Sequence, residues 1–327
     1  MLMDFTSGLL LLILSGIYCF LWLFWKNQLS LTSYIIEEII NIIKKYPALI
    51  YIYVINCILG VFWYTIIIFT FIACIIGHKN VIFSIFCCFS LYYSSQVIEN
   101  IVSMTTTGLL TTYFFCSEYD PTTKTLKASI KDPTLKAYKR SMTTYIGSIC
   151  FGSLFIFIIK VLTNITNCIK KLKSCICCTD CILFVLESLI HCFSIHAFPE
   201  IVIYGKSYCE ASRSTFLLMK YNNVNIILED NIFGNILIIC KLTISCLIGS
   251  FSSLIGYMFN ITNSVHLIIY GIIGFIISYF TSSISLQLVN SGFVTFFMCL
   301  CEDHEYIKYI KQDLYEKIKK AYPQCQI

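Results

Sequence analysis

The sequence predicts an all-α, polytopic integral membrane bundle of about seven transmembrane helices. Three observations lead there. Of 327 residues, 57% are hydrophobic and only 13% are charged, against about 25% charged in soluble domains. The mean hydropathy of +0.79 leaves too little polar side chain to coat a water-exposed surface. The charges are gathered between long uncharged blocks, each of a length that crosses a hydrocarbon core of about 30 Å. A net charge of +5 scattered in this way forms no basic stripe, so nucleic acid is not an expected partner. With Arg140 and Arg213 the only arginines, the abundance of Ile, Asn and Lys reads as compositional bias and carries no functional signal.

The elements follow in order. Residues 8–25 carry no charge and form the first predicted span; Asp4 precedes it with no Lys or Arg, and no small-x-small cleavage site follows, which argues against a signal peptide. Between Lys26 and Tyr46, the spacing of Tyr34, Ile35, Ile36, Ile39, Ile40 and Ile43 against Glu37, Glu38, Asn41 and Lys44 predicts an amphipathic helix at the membrane surface. Pro47 opens a second, charge-free span reaching Gly77. Residues 81–115 form the third and most polar span, with Glu99 its one charge. Residues 118–140, with six basic residues and the breakers Pro121 and Pro133, predict a solvated loop. The fourth span, 141–159, carries the small residues Gly147, Ser148, Gly152 and Ser153, which let helices approach closely in lipid. Residues 182–204 are apolar but interrupted by Glu187, His191, His196, Pro199 and Glu200. Two further spans lie between Ile232 and Cys301, separated by the polar break at 260–264.

The distribution of basic residues decides whether 182–204 crosses the membrane. With seven spans and a cytoplasmic C-terminus, 17 Lys and Arg lie inside and four outside; with six spans the figures are 12 and nine. The positive-inside rule favours seven, with the N-terminus outside. An interfacial helix at 182–204 is the competing reading, since charges inside a span are unfavourable by about 2.5–3.5 kcal/mol each. On this topology residues 1–327 are one membrane domain and 302–327 its cytoplasmic tail.

Several strings, in order, resemble the choline transporter-like family of solute carriers: SSQVIENIVSMTTTG (94–108), SMTTYIGSICFGSL (141–154), KLKSCICCTDC (171–181), IHAFPEIVIYGKSYCEASRSTFLLM (195–219) and FVTFFMCLCEDHEY (293–306). The GSICFGS string, the CxCC cluster and the YGK-x-x-C pattern are the specific ones. The resemblance covers roughly residues 80–310 and implies ten spans in a full-length member, of which this chain looks like the last seven. It implies a transporter of choline, or of a related amino-alcohol such as ethanolamine, by facilitated diffusion or exchange. The plasma membrane is favoured over an organelle membrane. A non-transporting membrane scaffold or subunit is the alternative. No motif of an enzyme or cofactor site is present, and neither a catalytic residue nor a resident metal is expected.

A quaternary ammonium cannot donate a hydrogen bond from nitrogen, so its site needs aromatic faces and a counter-charge. Tyr92, Gln96, Glu99 and Ser103, spaced by four, three and four, fall on one helix face, with Tyr93 and Asn100 adjacent. The predicted substrate set is Tyr92, Tyr93, Gln96 and Glu99, completed by Trp63 and Tyr270, with Tyr64 and Tyr279 further cage candidates. Glu99 is the expected counter-charge; a proton-coupled role, or a structural pair with Lys241, is open to the same carboxyl. Cys168, Cys175, Cys177, Cys178 and Cys181 are candidates for disulfides or for palmitoylation, depending on the side they occupy, with zinc the least suited to adjacent cysteines. The sequons at Asn164 and Asn260 fall in expected external loops and offer glycosylation sites. Glu302, Asp303, His304 and Glu305 read as the start of a solvated helix after the last span.

Overall fold

The structure is a computed structural model, and it describes residues 29–77, 81–120, 125–171, 197–221, 232–259 and 264–303. Its elements are α1 (Leu29–Lys45), α2 (Ala48–Gly77), α3 (Val81–Phe115), β1 (Ser117–Asp120), β2 (Thr125–Ala128), α4 (Pro133–Thr143), α5 (Ile146–Lys171), α6 (Ala197–Tyr204), α7 (Tyr208–Tyr221), α8 (Ile232–Met258) and α9 (Ser264–Glu302). Among the described residues, four helices are long and apolar enough to cross a membrane: α2, α3, α8 and α9. The count is five if α4 and α5, bent by 67° at a short break, make one span. The expected first span and residues 182–196 lie outside the described residues.

The chain is helical because lipid offers no partner for backbone polar groups, so each span must satisfy them internally. Large apolar side chains on the outer faces are accordingly bare: Tyr51, Phe62 and Phe69 on α2 are 64–70% exposed. The inner half of α3 is the opposite. Every residue from Asn100 to Thr111 is buried, because α2, α4, α5, α6 and α9 all pack against this helix.

Three sequence expectations are corrected. The amphipathic helix α1 forms as predicted, but Ile35 and Ile39, each 1% exposed, pack on protein instead of lipid. Their partners include Tyr113 and Phe114 of α3 and the Phe293–Cys301 end of α9. Residues 118–140 are more than a loop: β1 and β2 pair antiparallel, Ser117 opposite Ala128, and α4 starts at Pro133. Pro133 opens that helix because the N–H it lacks has no intrahelical acceptor at a first-turn position. Finally, the helix after the bend runs through Asn164, so that sequon lies in α5 and not in a loop. Asn260 lies outside the described residues.

Small residues seal α8 against α9. A side chain at Gly274 would bring its Cβ to 2.7 Å from Ser252 Cβ, and one at Gly271 would strike Ser253 Oγ. The serines also donate across the seam, Ser252 Oγ to Tyr270 O and Ser253 Oγ to Leu267 O, both at 3.0 Å.

Candidate functional site

α3 is fastened to three neighbours, each by a side-chain hydrogen bond. Asn100 Nδ2 donates to Ser153 Oγ of α5 at 2.8 Å. Thr105 Oγ1 donates to Ser141 Oγ of α4 at 3.4 Å. Thr107 and Thr295 of α9 share a bond of 2.9 Å. In lipid, where apolar contact gives no preference for protein over solvent, such pairs set which helix faces meet.

Glu99 stands next to Asn100 at the N-terminal end of this belt, half-buried. Its Oε1 accepts from Ser95 Oγ at 3.0 Å and its Oε2 from Gln96 Nε2 at 3.1 Å. Both donors come from the preceding turn of the same helix, so the carboxylate is held to a fixed direction without a cation supplied by these two bonds. Towards α2, the fully buried phenol of Tyr64 lies beside Ser95 and within electrostatic reach of Glu99. Ser95 gives its proton to Glu99, and the Tyr64 oxygen has no hydrogen-bond partner among the described residues. The Tyr64 ring packs on Phe280 of α9, centroids 5.5 Å apart.

Towards α5 lies an aromatic group. Tyr92 meets Phe157 at 5.2 Å between centroids, and Tyr93 stacks on Phe89 at 5.8 Å while its hydroxyl donates to Cys150 O at 3.3 Å. The structure thus gathers Tyr92, Tyr93, Gln96 and Glu99 on one stretch of α3. Trp63 and Tyr270 stand apart from it, on outward faces and 45% and 43% exposed. The face of Tyr279 is covered by Lys241, whose Nζ is 3.7 Å from the ring centroid.

Below Glu99, at helical spacing, come Ser103 and Thr107. They meet Gln287, Asn290 and Ser291 of α9, and Phe198 and Pro199 of α6, around a cavity of about 10 Å³. A volume at the lower limit for one water cannot hold a choline-sized solute. Gln287 and Asn290 were absent from the predicted site, and Tyr64 was only a further cage candidate there. Gln287 and Asn290, three apart in an apolar span, carry a readable signal, since polar side chains inside a span face the bundle.

A second polar centre lies where α6 ends. Gly205, at φ +68°, turns the chain, and its N–H caps Ile201 O at 2.8 Å. The turn brings Lys206 back to Glu200, with Nζ 2.7 Å from Oε1. Lys206 also donates to Ser214 Oγ at 3.3 Å and lies 4.4 Å from the centroid of the Tyr204 ring. Tyr204 in turn donates to Glu302 Oε2 at 2.6 Å. Glu302 therefore closes α9 and is half-buried, where a solvated helix start was expected. Nearby, burial pushes the Tyr208 phenol well above its ordinary range. Its ring fills the notch at Gly152, where an added Cβ would lie 2.6 Å from Tyr208 Cε2.

The YGK turn and the Asn100–Ser153 contact both fall on strings singled out in the sequence, and the match extends well beyond them. Residues 9–305 match the family described as the plasma-membrane choline transporter. The chain belongs to the choline transporter family. Its relatives include a CTL-like protein of Dictyostelium discoideum, 28% identical over 96% of this chain and 56% of that protein. The Protein PNS1 sequences of Debaryomyces hansenii and Yarrowia lipolytica are 24% and 22% identical over 93% and 98% of this chain. The chain spans 56–64% of the length of these three relatives. Several long apolar helices in a member of this family fit a multi-pass membrane transporter.

Among the described residues no group of three or more His, Cys, Asp and Glu could hold a metal ion. Cys168 falls within α5, while Cys175, Cys177, Cys178 and Cys181 lie outside the described residues.

Proposed function

We propose that the protein carries choline, or a related amino-alcohol such as ethanolamine, across a membrane by facilitated diffusion or exchange, with Glu99 as counter-charge to the cation. The observation that carries this reading is the Glu99 carboxylate on α3, oriented by Ser95 and Gln96 and flanked by aromatic residues of α2, α3 and α5. Tyr92 and Tyr93 supply faces that attract a quaternary ammonium at about 0.5–2 kcal/mol each. Tyr64 joins them from α2; Trp63 and Tyr270 are placed further out. Passage then follows Ser103, Thr107, Gln287 and Asn290, and because the cavity there is about 10 Å³, α6 and α9 must part from α3 to admit the solute. Seven spans with the N-terminus outside and residues 302–327 in the cytoplasm give the strongest positive-inside bias, and the family's description favours the plasma membrane.

The experiment is uptake of labelled choline by the purified chain in liposomes. Saturable uptake is expected. Tyr92→Ala should reduce it about 2- to 30-fold at low choline, the range spanned by one cation–π contact. Glu99→Gln should reduce it at least as much. Unchanged uptake in both variants removes the site, and no uptake by the intact chain removes carriage.

A further inference from the structure

Against the far side of α3 from the α9 seam lies a cavity of about 600 Å³, bounded by the C-terminal third of α3, by α4 and by α6. Ligand pockets commonly span about 300–1,000 Å³, so it is large enough for a bound molecule. Its chemistry is divided. Met104, Phe115 and Val202 give apolar walls, whereas Lys136 and Arg140 stand one helical turn apart on α4, with Tyr145 beside them at the bend. Among the described residues no carboxylate lines it and neither Lys136 nor Arg140 is in an ion pair, and α4 itself contains no Asp or Glu.

Two positive charges without a carboxylate repel a quaternary ammonium, so this cavity is ill-suited to the cargo proposed above and calls for an anion. The apolar walls call for an anion that carries hydrocarbon. Location agrees. The 67° bend swings α4 away from the direction of α5. Along α4, Leu135 and Met142, seven residues apart and 53% and 44% exposed, add apolar surface on the outer face, with the exposed Lys139 between them. Such a pairing of apolar and basic surface is that of a helix lying in a membrane interface. Basic pockets between helices at that depth are built to take anionic lipid headgroups.

We propose that this cavity binds an anionic phospholipid, its phosphate held by Lys136 and Arg140 and part of an acyl chain laid on Met104, Phe115 and Val202. The site is independent of the cargo path on the opposite side of α3. α4 packs closely on α3 beside it at Gly108, where an added Cβ would lie 2.9 Å from Ala137 Cβ.

The test uses the full chain in nanodiscs of mixed phosphatidylcholine and phosphatidylinositol, with bound lipid measured by mass spectrometry after extraction into mild detergent. At about fivefold per basic residue near an anionic partner, the intact protein should retain phosphatidylinositol roughly 25-fold over its share of the bilayer. Lys136→Gln with Arg140→Gln should abolish the enrichment. Lys139→Gln, on the same helix and outside the cavity, should keep it. Val202→Phe, which fills the apolar wall and leaves both charges, should weaken it about tenfold if acyl contact matters. Equal retention of both lipids by the intact protein, or equal loss in Lys139→Gln, overturns the site. If inorganic phosphate competes the lipid away as well as a soluble phosphatidylinositol does, the cavity is an anion site only and the lipid assignment falls.

Discussion

Tyr204 donates its phenolic proton to Glu302 Oε2 at 2.6 Å, joining the last residue of α6 to the last residue of α9 across 98 positions of sequence. α9 also packs against α8, α3 and α2, so this bond adds a polar tie to the apolar packing that already holds the short α6 on α3. Opening the seam between α3 and α9 has to break it or carry α6 along. Tyr204→Phe keeps the ring and removes the latch. A hydrogen bond to a charged group contributes about 1.5–3 kcal/mol, but Tyr204 is 53% exposed and competition from solvent brings this one below that range. The expected outcome is a lower melting temperature in detergent together with faster labelling of a cysteine placed at Asn290, read by maleimide kinetics. Unchanged labelling would mean that the bond is not part of the gate.

The ion pair behind that latch should behave differently. Glu200 is 3% exposed and Lys206 28%, and Glu200 Oε2 has no partner among the described residues. Removing Lys206 leaves a buried carboxylate without its cation, a change of about 3–5 kcal/mol when the pair is well buried. Lys206→Met should therefore destabilise the protein strongly, whereas Glu200→Gln with Lys206→Met should recover much of the loss. Thermal unfolding of the single and double variants checks the sign. Additive losses would show that the charges do not act as a pair.

At Gly152 the prediction is steric. Tyr208 occupies the space a Cβ would need, at 2.6 Å from Cε2 and 3.0 Å from Cδ2, and is itself wedged by Phe198 and Phe151. The ring cannot yield without disturbing α6 and α7. Gly152→Ala should cost about 1–3 kcal/mol, as overpacking does, despite the better helix propensity of Ala. Gly147 lies on the same helix with nothing within 4 Å of an added Cβ. Gly147→Ala should be neutral or stabilising in the same melting assay.

The polar pair Asn100–Ser153 invites a double-mutant cycle. Transmembrane side-chain hydrogen bonds average about 0.6 kcal/mol, with a maximum near 1.7, and this one is buried at 2.8 Å. A coupling near 1 kcal/mol is expected from Asn100→Ala, Ser153→Ala and the double variant. Zero coupling would leave α3 held to α5 by the Phe89, Tyr92 and Phe157 rings and the Tyr93–Cys150 hydrogen bond.

These residues also show what a sequence can say about a membrane protein. Glu99 was legible because it is one carboxylate in 35 residues, and a charge in lipid must face inward. The amphipathic period of α1 was legible too, but not what its apolar face meets, since lipid and protein core select the same residues. The same degeneracy hides the choice between Trp63 and Tyr64: both are aromatic, on a helix apolar all round, and only packing assigns one outward and one inward. α4 escaped because Pro133 was read as a breaker in a basic stretch, although proline is as much at home in a helix's first turn. The Tyr204–Glu302 contact joins residues too far apart for any periodic pattern to reveal.

Tyr64→Phe separates stability from transport. The buried hydroxyl has no partner among the described residues, and an unpaired buried polar group costs about 1–3 kcal/mol. Removing it while keeping the ring on Phe280 should raise the melting temperature. If the hydroxyl has no other role, choline uptake stays at the level of the intact protein. If the cost is borne because the phenol turns toward Ser95 and Glu99 when the cation binds, uptake at low choline falls severalfold in the more stable variant. The proposed site predicts the second result. Higher stability with undiminished uptake would confine Tyr64 to packing and shift the cage to Tyr92 and Tyr93. A lower melting temperature would show instead that the hydroxyl is satisfied in the folded protein.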